Sequence, residues 1–302
     1  MTKKKILIIG KNGQLAGAIQ AEVGSFGFEV IAFDRQEMDV TNWPQVKKIL
    51  DKIKPDILIN TSALQVVLQC EENPQRAMEV NFLAIQNLAR ECKERNIIFV
   101  TYSSDYVFDG EKGSAYEEDD LPNPLQIYGL SKLAGEYAAL CIYPEKSFVV
   151  RTAGLYGGVK GSPEKGNFVL NIMKEATEKA KAGVGMEVSS EQIVSPTYAG
   201  DLAKATLELL SMKVDPGIYH LVNEGGCSWY EFTKEIFKLA KINVPLSPID
   251  RGGLSAKGGN TAGKVRRPKF SIPKNTRARA LGIVLPSWQE GLASYFRFLN
   301  SI

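Results

Sequence analysis

Apolar residues fall in short uninterrupted runs along the first half of the chain, at residues 6–9, 30–33, 57–59, 97–100 and 148–150. A run without polar alternation suits a strand buried on both faces, which is the condition inside a parallel sheet. Between these runs the spacing becomes that of amphipathic helices, over residues 14–23, 44–53 and 77–95. Strand and helix in alternation predict right-handed βαβ units, with helices covering both faces of the sheet. After Arg151 the pattern loosens. A Gly-rich stretch, Gly157-Gly158-Val159-Lys160-Gly161, leads to an amphipathic helix at 167–182, a second helix at 200–210 and a strand at 217–222. That strand is placed to return to the main sheet, and a final helix is predicted at 287–300.

Composition narrows the chemistry. The 302 residues carry 37 Lys and Arg against 34 Asp and Glu, a net charge of +3. So small an excess does not point to nucleic acid, and an anionic ligand has to meet a local group of positive charges. No apolar run approaches the ~18 residues that a membrane span requires. Lys3-Lys4-Lys5 before Ile6 imitates a secretory leader, but the apolar run is four residues long and ends in a Gly-rich turn, so it reads as a first strand. Cys70, Cys92, Cys141 and Cys227 are scattered, which argues against a disulfide framework or a zinc site and for a reducing, cytoplasmic setting. His220 is the single histidine and lies in an apolar run. It reads as a buried strand residue, so a His-based triad or multi-His metal site is not expected.

The first chemical signal is Gly10-Lys11-Asn12-Gly13-Gln14-Leu15-Ala16 directly after the first strand. Small residues let the backbone approach a pyrophosphate, and the helix that follows turns its partial positive charge toward it. Asp34 at the end of the second strand sits where a ribose hydroxyl is bound, while Arg35 beside it suits a 2′-phosphate, so both NADH and NADPH remain open. Together these features predict an α/β fold of the Rossmann type. The expected architecture is a doubly wound parallel sheet over residues 1–153, joined by the strand near 217–222. A smaller, discontinuous α/β substrate-binding part is expected over 154–302.

The second signal is Tyr128-Gly129-Leu130-Ser131-Lys132. A spacing of four puts the phenol and the ammonium on one helix face. A phenol ionises at about pH 10, and a neighbouring cation eases the loss of its proton. Tyr128 is therefore a candidate proton donor to a carbonyl oxygen, and Lys132 a candidate holder of the nicotinamide ribose. Ser103-Ser104-Asp105 follows the fourth strand, at the carboxyl edge where a parallel sheet presents ligand-binding groups. The Ser104 hydroxyl there can orient a carbonyl and assist its protonation.

These segments resemble the extended short-chain dehydrogenases and, within them, the dTDP-4-dehydrorhamnose reductase family. The matching strings are Gly10-Lys11-Asn12-Gly13-Gln14-Leu15, Ser103-Ser104-Asp105-Tyr106-Val107-Phe108-Asp109-Gly110 and Tyr128-Gly129-Leu130-Ser131-Lys132-Leu133-Ala134-Gly135-Glu136. Further on come Arg151-Thr152-Ala153, Ser195-Pro196-Thr197-Tyr198-Ala199, Gly217-Ile218-Tyr219-His220-Leu221 and Arg267-Pro268. The resemblance implies NAD(P)H-dependent reduction of the C4 ketone of a deoxyhexose on a nucleoside diphosphate. It implies Tyr128 as proton donor, tuned by Ser104 and assisted by Lys132. It also implies Asp39-Val40 along the adenine, Thr61, Ser62 and Ala63 along the cofactor, and Ser104, Asp105, Tyr106 and Asn167 against the substrate. The implied partner is the nucleotide sugar, with no nucleic acid and no membrane, and a homodimer is compatible with this; similar proteins can hold a metal at a subunit contact, but no cluster in this sequence argues for one.

The chain departs from the family at places that bear on sugar and base specificity, the first of them near the sugar. Gly154 stands where similar proteins have Trp, Val67-Leu68-Gln69-Cys70-Glu71 replaces a Val-Asp-x-Ala/Cys-Glu segment, and Glu191-Gln192 replaces Asp-Gln. From Lys257 to Arg279 there are eight Lys or Arg residues. Most suit a solvated surface, and one of Arg266 and Arg267 suits a clamp on the substrate pyrophosphate. Trp229, Tyr230 and Phe232 read as core. Two other functions stay open at this stage. One is a non-catalytic regulatory subunit similar to that of methionine adenosyltransferase; the other is a nucleotide-sugar epimerase or dehydratase, against which the lone Asp105 after Ser104 argues.

Overall fold

The computed structural model describes residues 3–158, 167–250 and 265–301. Val159, Lys160 and Gly161 of the Gly-rich stretch, and the basic positions Lys257 and Lys264, lie outside the described residues. Strands β1 (Lys5–Ile9), β2 (Glu29–Phe33), β3 (Ile57–Asn60), β4 (Ile98–Ser104) and β5 (Ser147–Thr152) are joined by helices α1 (Gln14–Glu22), α2 (Trp43–Ile53), α3 (Val67–Glu72), α4 (Pro74–Met78), α5 (Ala84–Glu94) and α6 (Ile127–Ile142). Then follow α7 (Phe168–Ala182), β6 (Met186–Ser189), β7 (Ile193–Val194), α8 (Ala199–Ser211), β8 (Gly217–His220) and β9 (Cys227–Ser228). The described chain closes with α9 (Trp229–Ala240), β10 (Leu246–Ile249), α10 (Thr276–Ala280) and α11 (Trp288–Leu299).

Six strands form one sheet in the order β2-β1-β3-β4-β5-β8, and every pair is parallel. Side chains alternate between the two faces, and both are buried. Ile6, Ile8, Ile57, Ile59, Val100 and Val150 join one core with Leu15, Ile19, Leu202 and Leu207 of α1 and α8. Leu7, Ile9, Leu58, Phe99 and Val149 join the other with Val46, Leu50, Leu88 and Ala139. That double burial is the physical reason the strand runs contain no polar alternation. The third cluster belongs to the C-terminal part, where Tyr156, Phe232, Trp288 and Tyr295 pack with Val169 and Ile236; Phe232 is core, as its sequence setting suggested. β6 pairs with β10, and β7 with β9.

β8 returns beside β5, with Arg151 opposite His220. His220 is fully buried, and its Nδ1 lies 3.1 Å from the Tyr116 carbonyl and 3.2 Å from that of Lys274. Burial pushes its pKa down to about 3, so it is neutral and donates from Nδ1. Arg151 and Glu136, each 2% exposed, form a buried pair at 2.6 Å.

The single helix expected over 77–95 is instead broken. A π-helical segment, Glu79–Leu83, separates α4 from α5. Within it the buried Asn81 accepts from the Leu64 N–H at 2.9 Å and donates to the Leu64 carbonyl and to Ser131 Oγ. The extra residue in the turn is held by these tertiary bonds, and they tie the chain after β3 to α6.

Candidate active site

Strand order reverses between β1 and β3, because β1 leads away to β2 on one side while β3 begins the run to the other. The crevice at the carboxyl edge of such a switch point is where open α/β sheets bind ligands. A cavity of about 740 Å³ opens there. Its walls come from the Gly10–Leu15 turn, Asp34-Arg35 after β2, residues 60–63 after β3, Tyr102–Asp105 at the end of β4, Tyr128 and Lys132 on α6, and Thr152–Leu155 after β5. Phe168 and Asn171 of α7 also line it.

The nucleotide end is built from backbone. Gly10 has φ +94°, and a Cβ there would lie 2.7 Å from Thr61 Oγ1, so only glycine allows β1 and β3 to approach this closely. Gly13 precedes α1 as its N-cap and supplies no side-chain oxygen. The first N–H groups of α1 therefore have no intrahelical or capping acceptor and face the crevice as an anion site. Gly158 leans on the same turn, where a Cβ would stand 3.1 Å from Gln14 Cα. Asp34 accepts from the Gln36 and Glu37 N–H groups at 2.9 and 3.1 Å. The Glu37 amide above all holds its carboxyl below the usual carboxylate range, with Lys11 adding to this. Arg35 is 76% exposed and lies 3.4 Å from Asp39.

Three buried polar atoms on the cavity wall have no partner, Gln14 Oε1, Ser103 Oγ and Thr152 Oγ1. Unpaired buried polar groups are costly, and here they line a crevice wide enough for a dinucleotide. The residues present fit such a group.

At the other end lies the chemistry. Gln126 caps α6 by accepting from the Gly129 N–H at 2.6 Å, and Glu71 of α3 accepts from the Ile127 N–H at 2.6 Å. Tyr128 packs edge-on against Tyr106, with ring centroids 5.9 Å apart. Burial pushes the Tyr128 phenol well up, with the neighbouring Ser104 acting the other way. Lys132 is 6% exposed, and burial brings it down to about 8 while Glu136 and Cys70 act the other way. It is thus still mainly a cation at neutral pH. Ser104 Oγ donates to Asp105 Oδ1 at 2.9 Å and accepts from the Tyr106 N–H at 3.2 Å. Ser271 donates to the other Asp105 oxygen at 2.6 Å. Asp105 is 3% exposed, and burial pushes its carboxyl up to about 6 against the pull of Ser271 and Ser104.

Several expected contacts are arranged differently. Asp39 and Val40 lie outside the cavity lining: Val40 is buried in the sheet core, and Asp39 accepts from the Thr41 N–H and hydroxyl. Asn167 does line the cavity, but its Oδ1 caps α7 and its Nδ2 donates to Tyr295 Oη and the Gly157 carbonyl. Its amide hydrogens are thus committed to the fold. Of the two arginines offered as a clamp, Arg266 is exposed, whereas Arg267 is half-buried. Arg267 lies close enough to Tyr106 for its charge to lower the phenol's pKa against the effect of burial, and its buried Nε has no partner. Tyr106, Arg266 and Arg267 are not themselves part of the cavity lining.

Asn60, Gln65, Tyr102, Leu155, Phe168 and Asn171 were not singled out from the sequence, yet they line the cavity. For three of them the signal was position: Asn60 ends β3, Tyr102 lies near the end of β4, and Leu155 follows β5. Phe168 packs at a tilt against Trp229, ring centroids 4.4 Å apart, which gives the cavity an apolar wall. Gly154, at φ +53°, leaves a Cβ only 3.0 Å from Pro196 Cα, so the backbone itself forms the wall there. Gly129 is tightest of all, since a Cβ would collide with the Tyr106 carbonyl oxygen. Gly129→Ala is expected to cost about 1–3 kcal/mol of stability by overpacking and to lower turnover further by displacing Tyr128. Denaturant melts and rates on the same preparation check both, and unchanged turnover would count against this placement.

Among the described residues no group of three or more His, Cys, Asp or Glu side chains is arranged to hold a metal, and no helix is long and apolar enough to cross a membrane. Comparison with known proteins agrees with the geometry. The chain is 33% identical over 297 residues to the spore coat polysaccharide biosynthesis protein SpsK of Bacillus subtilis, covering 98% of each. It is 35% identical over 300 residues to a dTDP-4-dehydrorhamnose reductase of Aggregatibacter actinomycetemcomitans, covering 95% of this chain and 97% of the relative. The crystal structure of a dTDP-4-dehydrorhamnose reductase from Bacillus anthracis in complex with NADP superposes with a TM-score of 0.87 at 33% identity, over 98% of both chains. Residues 4–300 match the RmlD substrate binding domain model, and the chain belongs to that family.

Proposed function

We propose that this chain is an NAD(P)H-dependent reductase of the C4 keto group of a nucleotide-activated deoxysugar, dTDP-4-dehydro-L-rhamnose, forming dTDP-L-rhamnose for surface polysaccharide. The observation that carries the reading is the placement of Tyr128, Lys132 and Ser104 in one cavity with an uncapped helix N-terminus and three unpartnered polar atoms. A nicotinamide cofactor bound in that crevice supplies the hydride. Tyr128 gives its proton to the carbonyl oxygen, and Lys132 holds positive charge close to the phenolate that remains. Ser104 orients the reacting oxygens, and the apolar wall of Phe168 excludes water from them. Asp34 and the Gly10–Leu15 turn hold the adenosine end; Lys11 and Arg35 give a 2′-phosphate two cations to meet, which favours NADPH. Arg267, half-buried beside Tyr106 at the margin of the cavity with an unpartnered Nε, is assigned the clamp on the substrate diphosphate. The four unpaired cysteines support a reducing, cytoplasmic setting.

Stoichiometry tests the reading. With dTDP-4-dehydro-L-rhamnose, the protein is expected to oxidise one NADPH or NADH per sugar, followed by loss of nicotinamide absorbance, with NADPH the better donor. Cofactor binding without oxidation would sink the reductase assignment. Conversion of the sugar with no net cofactor use would replace it with epimerisation.

A further inference from the structure

The two cations that a 2′-phosphate would meet are both already paired. Lys11 Nζ lies 2.5 Å from Glu37 Oε2 and 3.6 Å from Asp34 Oδ2. Arg35 Nε lies 3.4 Å from Asp39 Oδ2. The group thus sets the three carboxylates of Asp34, Glu37 and Asp39 against the two cations. Glu37 is fixed from two sides, although it stands at the surface. Its N–H donates to Asp34 Oδ1 at 3.1 Å, and its Oε2 accepts from the Asp34 N–H at 2.9 Å. The Gln36 N–H also donates to Asp34 Oδ1, at 2.9 Å. Asp34 Oδ2 accepts from neither amide and has Lys11 and, at 3.5 Å, Asn12 Nδ2 beside it. Asn12, Asp34 and Arg35 line the cavity, whereas Lys11, with its ammonium held at Glu37, does not.

We propose that Glu37 is a specificity-determining residue for the cofactor, which acts by pinning Lys11 beside Asp34. The inference rests on the reading of this crevice as the cofactor site of a reductase and adds Glu37 to it. With a free 2′-hydroxyl on the adenosine ribose, Lys11 stays on Glu37, and Asp34 Oδ2 is the oxygen left to accept from that hydroxyl. With a 2′-phosphate there, Lys11 has to leave Glu37 before its charge can meet the new anion. Lys11 and Glu37 are 31% and 44% exposed, and an exposed ion pair of this kind changes an equilibrium by at most about fivefold. The pairing is therefore weak enough to open on binding and strong enough to hold back the preference for NADPH. One flexible lysine thereby serves both cofactors, and Glu37 sets the balance between them.

The test is calorimetric titration of the full chain with NADPH and with NADH, which differ only in the 2′-phosphate. Glu37→Gln keeps an oxygen that accepts from the Asp34 N–H but removes the charge that holds Lys11. It is expected to tighten NADPH by about three- to fivefold and to leave NADH within about 1.5-fold. Lys11→Met keeps the apolar stem and removes the cation, and is expected to weaken NADPH by about tenfold with NADH little changed. In the Lys11→Met background, Glu37→Gln has no pair to release, and its gain should shrink below about 1.5-fold. A Glu37 that merely held the turn together would move both nucleotides alike. Equal shifts for NADPH and NADH, no shift in Glu37→Gln, or a gain that persists in full without Lys11 overturns the proposal while the reductase reading stands. If wild type consumes no cofactor with the keto-sugar, the reductase reading falls, and the titrations, which need no sugar, still decide the role of Glu37. Binding of neither nucleotide overturns the proposal along with the cofactor site.

Discussion

Tyr128→Phe is expected to lower kcat by about 10²–10⁴-fold while leaving the fold and the binding of the dinucleotide intact. The substitution removes one oxygen from a ring already held by its neighbours. The edge-on contact with Tyr106 and the Gln126 and Glu71 bonds to the first turn of α6 do not involve the phenol. What disappears is the proton delivered to the sugar oxygen. Since burial holds the phenol proton tightly, the carbonyl must be drawn close before transfer, and water is a poor substitute. Initial rates with saturating substrate, set beside fluorescence titration of NADPH, separate the two effects. A loss of less than about tenfold would remove Tyr128 from the donor role.

Glu136→Ala carries the largest expected effect on stability, about 3–5 kcal/mol. The Arg151 guanidinium is bonded to both Glu136 oxygens, at 3.0 and 3.1 Å from Nε and 2.6 Å from Nη2. It also lies 5.1 Å from the centre of the Phe108 ring. Without Glu136 this charge stays buried, with only a long contact of 3.5 Å to the Glu118 carbonyl. A typical domain has about 5–15 kcal/mol to lose, so the variant should unfold at much lower denaturant with an unchanged slope. Glu136 also supports the charge on Lys132, so Lys132 should give up its proton at lower pH in the variant. A double change to apolar residues at 136 and 151 should recover most of the stability, because it removes the stranded charge along with the pair. A single-variant loss below about 1 kcal/mol would contradict this account of the pair.

The central sheet was legible because its strands are buried on both faces, so Ile6–Ile9 and Phe148–Val150 carry nothing but apolar residues. The phosphate turn and the Tyr128–Lys132 spacing were legible for a related reason, since both are local and their geometry follows from a turn or a helix. What the sequence withheld is non-local. Asn81 inside a helical pattern looks like any helix asparagine, and its bonds to Leu64 across 17 residues create the π-helical break. β7 and β9 are two residues each, too short to show a period. Asp39 and Val40 follow β2 closely enough to be read with the crevice, yet the turn at Thr41 buries Val40 instead. Ser271 gave no sign of its target, because only the folded chain brings it to Asp105.

The return of β8 has a practical consequence for recombining relatives. α8 packs its Leu202 and Leu207 with α1, and β8 completes the sheet beside β5; both belong to the nucleotide-binding layer, though they are encoded after residue 198. A chimera cut once after residue 153 would put a foreign edge strand against β5 and a foreign helix against α1. Exchange of the C-terminal part between homologues calls for separate grafts of 167–194, 227–275 and 286–300, with 199–222 and 276–285 kept from the parent, because Ala278, Ile283 and Leu285 share a core with Leu202 and Leu207. The second graft has to retain Ser271, or the buried carboxyl at 105 loses the donor to its second oxygen.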